Sequence, residues 1–265
     1  MNDATPWPRP AYDPSVQPHF LFVMTPPYSG STALAQLLAT SKSVAMLDYR
    51  GEGQWLVPGM AASGRWRPDR CVDFESVRAV WLHEYQRQLR NNHAVKVIVE
   101  KSPPNMLYLK GLLHAFEHAS VFVNNRNPYA ACSSVFHRRL QGSAQTKEER
   151  SRAFTNLAQD WLFRSRVLIE LITEYTLPQL TYEEFCAEPK RVLSVLGDCR
   201  SLVGELDFDA KLHVKDYPEQ AISNQNPRQI GMLRAEDVAS IRQELAPHVS
   251  TLDFFGYSLS PDDDR

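Results

Sequence analysis

The sequence predicts an α/β fold in three layers, a central and mostly parallel sheet of about five strands with helices on both faces. Three observations carry this prediction. Short, almost wholly apolar runs at Phe20–Met24, Val95–Val99 and Ser120–Val123 have the length and side-chain content of strands buried on both faces. Segments with apolar residues at helical spacing separate them, with Ala33, Leu34, Leu37 and Leu38 after the first run and Met106, Leu109, Leu112, Leu113 and Phe116 before the third. Strands that alternate with helices pair in parallel through right-handed crossovers.

In chain order, the polar, proline-bearing residues 1–18 read as a flexible N-terminal arm and 19–260 as a single domain; 265 residues with 43% apolar content can bury a large core. After the first strand comes the tight loop Thr25–Gly30, and Ser31 and Thr32 then open a helix. A helix start leaves its first four N–H groups unpaired and carries about half a positive charge, which suits an oxyanion. Gly30 allows close backbone approach, and Ser29, Ser31 and Thr32 add hydroxyls, so Pro27, Tyr28, Ser29, Gly30, Ser31 and Thr32 form a candidate phosphate cradle. The same segment also fits an ordinary strand–turn–helix with Ser31 as the N-cap. It is not a Walker A motif, because Gly30 runs straight into Ser31 without the lysine that motif places on the β/γ-phosphates.

A loop-rich stretch at 48–72 precedes a helical pattern from Glu75 to Arg90, then the second strand, the next helix and the third strand. Asn127 before Pro128 predicts a capped helix running to about Leu140. The polar segment 141–150 is a candidate loop or lid, followed by a helix over 151–175, a short strand around Gln179–Tyr182 and a helix over 189–203. In an open parallel sheet, ligands sit beyond the carboxyl ends of the strands. Three such ends carry polar residues here, at 25–32, at Glu100-Lys101-Ser102 and at Asn125-Arg126-Asn127, and they should converge on one cleft. Glu52 can reach it, since a helix of about ten residues travels roughly 15 Å and an extended return covers that distance back; as an acidic residue between two glycines it also fits a solvated loop. Arg126 closes a strand and Ser134 follows eight residues later in a helix, an arrangement in which a guanidinium fork and a hydroxyl can share one phosphate.

Pro27-Tyr28-Ser29-Gly30-Ser31-Thr32 resembles the 5′-phosphosulfate loop of sulfotransferases that use 3′-phosphoadenosine 5′-phosphosulfate (PAPS), departing only at Tyr28, where that family has lysine or arginine. Arg126, Ser134 and the Asn127-Pro128 continuation are similar to the family's 3′-phosphate site. The line LTYEEFCAEPKRVLSVL at 180–196 resembles the segment whose tyrosine lies near the adenine, which implies that role for Tyr182. EKSPPNMLYL at 100–109 resembles the tyrosylprotein and bacterial branch, in which a lysine beside the transferring group and a glutamate base about twenty residues after the loop imply Lys101 and Glu52 as catalytic, with Glu100 as second choice for the base. The cytosolic branch's histidine is replaced by Pro103. ISNQNPRQIGML at 222–233 stands where the family folds a basic loop over the 3′-phosphate, so Arg228 is a candidate there.

The resemblance implies a P-loop-like sulfotransferase that moves a sulfonate group from PAPS to an acceptor hydroxyl of a small molecule, glycan or peptide and releases adenosine 3′,5′-bisphosphate (PAP), without a metal. Trp55, Met60 and Trp66, together with 141–150, are expected to shape the acceptor pocket or, for the tryptophans, to pack in the core. A net charge of −2 argues against a nucleic-acid partner. No stretch is long and apolar enough to span a bilayer, and four cysteines without metal-ligand spacing fit buried thiols in the cytoplasm. A nucleotide or small-molecule kinase and a non-catalytic nucleotide-binding protein are the alternatives.

Overall fold

The computed structural model describes residues 17–62, 64–140, 146–214 and 218–261. The expected N-terminal arm, apart from its last two residues, and positions 141–145 of the expected lid lie outside the described residues. At the centre is a parallel sheet of four strands, β1 (His19–Met24), β2 (Val44–Met46), β3 (Val97–Glu100) and β4 (Ala119–Val123), in the spatial order β2-β3-β1-β4. The register pairs His19 with Val97 and Phe20 with Ala119, so the carboxyl ends of β1, β3 and β4 meet along one edge.

Side-chain alternation along β1 builds two cores. Phe20, Phe22 and Met24 face one layer with Ile98, Trp81 and Phe116, while Leu21 and Val23 face the other with Leu34, Leu37, Val99 and Phe122. The first layer contains α2 (Phe74–Asn91) and α3 (Leu109–Ala115), and the second contains α1 (Ser31–Leu38). Among the described residues no helix is long and apolar enough to cross a membrane.

The sheet has one strand fewer than the expected five. Gln179 makes only an isolated parallel bridge to Val123, although Val123 N donates to Pro178 O at 2.9 Å and Leu180 N to Val123 O at 2.9 Å. Pro178 has no N–H to extend the ladder, and Thr181 already caps the next helix in a capping box with Glu184, which leaves too few residues for a strand. In the other direction, the expected extended return at 43–50 holds the edge strand β2. Further helices are α4 (Pro128–Val135), α5 (Lys147–Tyr175), α6 (Tyr182–Ala187), α7 (Asn226–Gly231) and α8 (Ala235–Leu245).

Three expected helices differ in detail. The helix that Asn127 caps is regular only to Val135 and continues as a π turn, Phe136–Leu140. The 151–175 helix starts four residues early, because Thr146 and Glu149 form a capping box. Over 189–203 the chain forms separate short turns, Pro189–Ser194, Gly197–Cys199 and Arg200–Val203, with Gly197 at φ 57 interrupting the right-handed run.

Trp81 is fully buried, with ring centroids 6.2 Å from Phe20 and 5.4 Å from Phe116, and its indole Nε1 donates to Gly53 O at 3.0 Å. Trp81→Ala should therefore cost about 3–5 kcal/mol in urea unfolding; a loss below about 1 kcal/mol would show that the aromatic stack does not hold this layer.

Candidate active site

Beyond the carboxyl ends of the strands lies a cavity of about 330 Å³. Pro27, Tyr28, Gly30, Ser31 and Thr32 line one side of it, so all of the expected cradle reaches the cavity except Ser29, whose buried Oγ has no partner among the described residues. The turn is tight. Tyr28 at φ 65 and Gly30 at φ 79 are both left-handed, and a Cβ on Gly30 would stand 2.2 Å from Cδ2 of Tyr182, so only glycine lets that ring lie against the loop.

Lys101 and Glu52 meet at the same cavity. Lys101 leaves the end of β3, is 1% exposed, and donates through Nζ to Glu52 Oε1 at 3.0 Å and to Thr32 Oγ1 at 3.2 Å. Gln54 Nε2 and Trp55 Nε1 donate to the other oxygen of Glu52 at 3.1 and 3.0 Å. Glu52 is delivered by three consecutive left-handed residues, Tyr49 (φ 58), Arg50 (φ 63) and Gly51 (φ 81). For the two non-glycine residues this conformation costs on the order of 1–2 kcal/mol each. Gly51 N bonds Leu47 O and Lys101 N bonds Gly51 O, both at 2.8 Å, so the strained turn is fastened to the strand end.

Arg126 and Ser134 line the cavity beside the loop. The Arg126 guanidinium lies over the Tyr182 ring at 4.3 Å, donates from Nη1 to Tyr28 O at 2.9 Å and from Nε to Asn226 Oδ1 at 2.8 Å, and keeps a buried Nη2 with no partner among the described residues. The Tyr182 hydroxyl accepts from Gln225 N at 2.9 Å, and burial raises its pKa, so the phenol stays neutral. Arg228 is exposed on α7 and does not line the cavity. Trp66 lines it with Arg164 over its ring at 4.6 Å, Trp55 is 47% exposed, and Met60 is buried in the core. Among the described residues there is no group of three His, Cys, Asp or Glu side chains arranged to hold a metal ion.

The model of the sulfotransferase family matches residues 18–199, more than half of the chain and every element of this cavity up to α6. The chain belongs to the sulfotransferase family. Its general chemistry is the transfer of a sulfonate group. Its fold is similar to that of a sulfotransferase from Alicyclobacillus acidocaldarius (14% identity, covering 90% of this chain and 95% of that one, TM-score 0.52). It is also similar to the sulfotransferase domain of the curacin biosynthetic pathway (18% identity, 92% and 99%, TM-score 0.51) and to STF9 from Mycobacterium avium (14% identity, 91% and 78%, TM-score 0.51). No curated protein sequence matches the chain.

Sequence reasoning did not single out several residues that line this sulfotransferase's cavity, namely Arg65, Gln54, Gln225 and the arginines Arg138 and Arg139 of the π turn. Arg138 follows Ser134 by four residues, which places it on the same helical face; that spacing was the available signal.

Glu100 is placed differently from Glu52. It is 1% exposed and does not line the cavity. Its carboxyl accepts from Gly53 N at 2.9 Å, from Ser102 N at 3.1 Å, and from the side chains of Ser102 and Asn105, so it holds the 51–55 loop and the β3 exit together. Burial pushes its pKa up from 4.5 to about 7, the donors around it pull the other way, and the charge of Glu52 adds to the rise. A carboxyl that holds its proton more tightly folded than unfolded contributes its full stability below about pH 4.5 and loses it as pH rises toward 7. The unfolding free energy of the wild type relative to Glu100→Gln should thus fall by roughly 1–3 kcal/mol between about pH 5 and about pH 8. A difference that stays flat over that window would contradict this placement.

Proposed function

We propose that this sulfotransferase takes its sulfonate group from PAPS and passes it to an acceptor hydroxyl, with Glu52 as the base and Lys101 beside the transferring group. One observation carries the donor assignment. Two groups of donors suited to anions line the cavity, the Tyr28–Thr32 loop with Lys101 Nζ and the Arg126 guanidinium with Ser134, and the Tyr182 ring packs against both Gly30 and Arg126. PAPS carries a phosphosulfate and a 3′-phosphate on either side of a nucleoside. The buried Nη2 of Arg126, which has no partner among the described residues, supports this fit, since an orphaned buried guanidinium nitrogen is costly without an anionic partner.

In this reading Glu52 takes the acceptor proton, the acceptor oxygen forms its bond to sulfur, and the bond from sulfur to the phosphate oxygen breaks with its electron pair left on PAP. Tyr28 brings no cation to the loop, so Lys101 meets the charge that develops on the departing oxygen. Protonation of Glu52 removes the carboxylate that holds Nζ and frees a donor for that oxygen. Pro103, Pro104 and Trp66 line the cavity and would contact the acceptor, whether small molecule, glycan or peptide. All four cysteines are free, which supports a reducing, cytoplasmic setting.

Thermal melts with PAP, adenosine 5′-phosphosulfate, ATP and ATP with magnesium test this assignment. PAP without metal should raise the melting temperature by several degrees at saturation, more than any of the others. A larger shift with ATP and magnesium would replace it with a kinase reading.

A further inference from the structure

The family resemblance placed a cation of the C-terminal segment on the 3′-phosphate, yet Arg228 is exposed outside the cavity. What that segment does bring to the site is an amide. Asn226 is fully buried at the start of α7; its Oδ1 accepts from Arg126 Nε at 2.8 Å and its Nδ2 donates to Glu183 Oε1 at 2.6 Å. The same Glu183 oxygen accepts from Asn127 N at 3.0 Å, and Oε2 accepts from the Tyr257 hydroxyl at 3.0 Å.

The chemistry of these partners fixes the amide. A carboxylate only accepts and a guanidinium only donates, so the group between them must donate on one side and accept on the other. Asparagine does both in one rigid plane; Asn226→Asp would place a second carboxylate against Glu183, and an aliphatic residue would leave both neighbours unsatisfied. With Nε held by Asn226, Nη1 held by Tyr28 O and the guanidinium face against Tyr182, the plane of Arg126 is set, and Nη2 is the nitrogen left without a partner among the described residues. Among the described residues, the side-chain hydrogen bonds of Asn226 and Glu183 reach the phosphosulfate loop only by way of Arg126, whose Nη1 bonds Tyr28 O.

We propose that Asn226 and Glu183 are positioning residues that hold Arg126 in register for a 3′-phosphate, so that the C-terminal segment acts on this phosphate through Arg126 and without a cation of its own. The inference rests on the PAPS reading. A preset fork loses less freedom when it binds a phosphate, so loosening it costs affinity chiefly for that phosphate.

Calorimetric titration of PAP and of adenosine 5′-phosphosulfate, which lacks the 3′-phosphate, tests it in the full chain. Asn226→Ala should weaken PAP by about tenfold or more and leave adenosine 5′-phosphosulfate within about twofold of the wild type. Glu183→Gln, which keeps the shape but lets the amide turn, should act in the same direction and serves if Asn226→Ala does not fold. In an Arg126→Ala background, Asn226→Ala should cost PAP nothing further, since the effect passes through Arg126. Equal losses for the two ligands, an unchanged PAP affinity in both single variants, or additive losses in the double variant would overturn the proposal. A wild-type chain that does not bind PAP would overturn the donor reading itself, and this relay's role with it.

Discussion

A single buried ammonium group organises this site. Lys101 Nζ lies in the interior, where an unpaired charge costs several kcal/mol, so its partners must come to it. They come from two other parts of the chain, Thr32 from the first turn of α1 and Glu52 from the left-handed turn after β2. Removing Glu52 would leave the buried ammonium without its counter-charge, and removing Lys101 would take a donor from both Thr32 and Glu52. The Tyr28–Thr32 loop, the end of β3 and the carboxylate are therefore one unit, and the strain at Tyr49 and Arg50 is tolerated because the ion pair and the Gly51 hydrogen bonds fix the turn.

The parallel sheet makes this convergence possible. β1 sits between β3 and β4, so its loop lies between the Lys101 end and the Arg126 end. Thr25 Oγ1 donates to Asn124 Oδ1 at 2.9 Å and locks the β1 exit to the β4 exit. On the other flank Glu100 locks the β3 exit to the loop that carries Glu52. The polar residues at the strand ends thus divide their work, some fastening the ends to each other and others facing the cavity.

Most of this was legible in the sequence where a local pattern decides the structure. The strand, loop and helix of 20–38, the capped start at Asn127-Pro128 and the meeting of Glu52, Lys101 and Arg126 all follow from short motifs and from the topology of a parallel sheet. Tertiary contacts decided the rest. Val44–Met46 is too short to show a period and becomes a strand only by pairing with β3. Gln179 loses its strand to the helix cap at Thr181. The π turn that brings Arg139 to the cavity has no local signature, and Asn226 gave no local signal because its two partners lie 100 and 43 residues away.

In the proposed complex one cavity holds both phosphate ends of the donor, with Lys101 at one and Arg126 at the other. A crystal structure of the chain with PAP bound tests it most directly. The 5′-phosphate should lie on the 28–32 amides within hydrogen-bond distance of Lys101 Nζ, and the 3′-phosphate should bond Nη2 of Arg126 and the Ser134 hydroxyl. A 3′-phosphate left in solvent, or a nucleotide bound with its 5′-phosphate away from the loop, would contradict it.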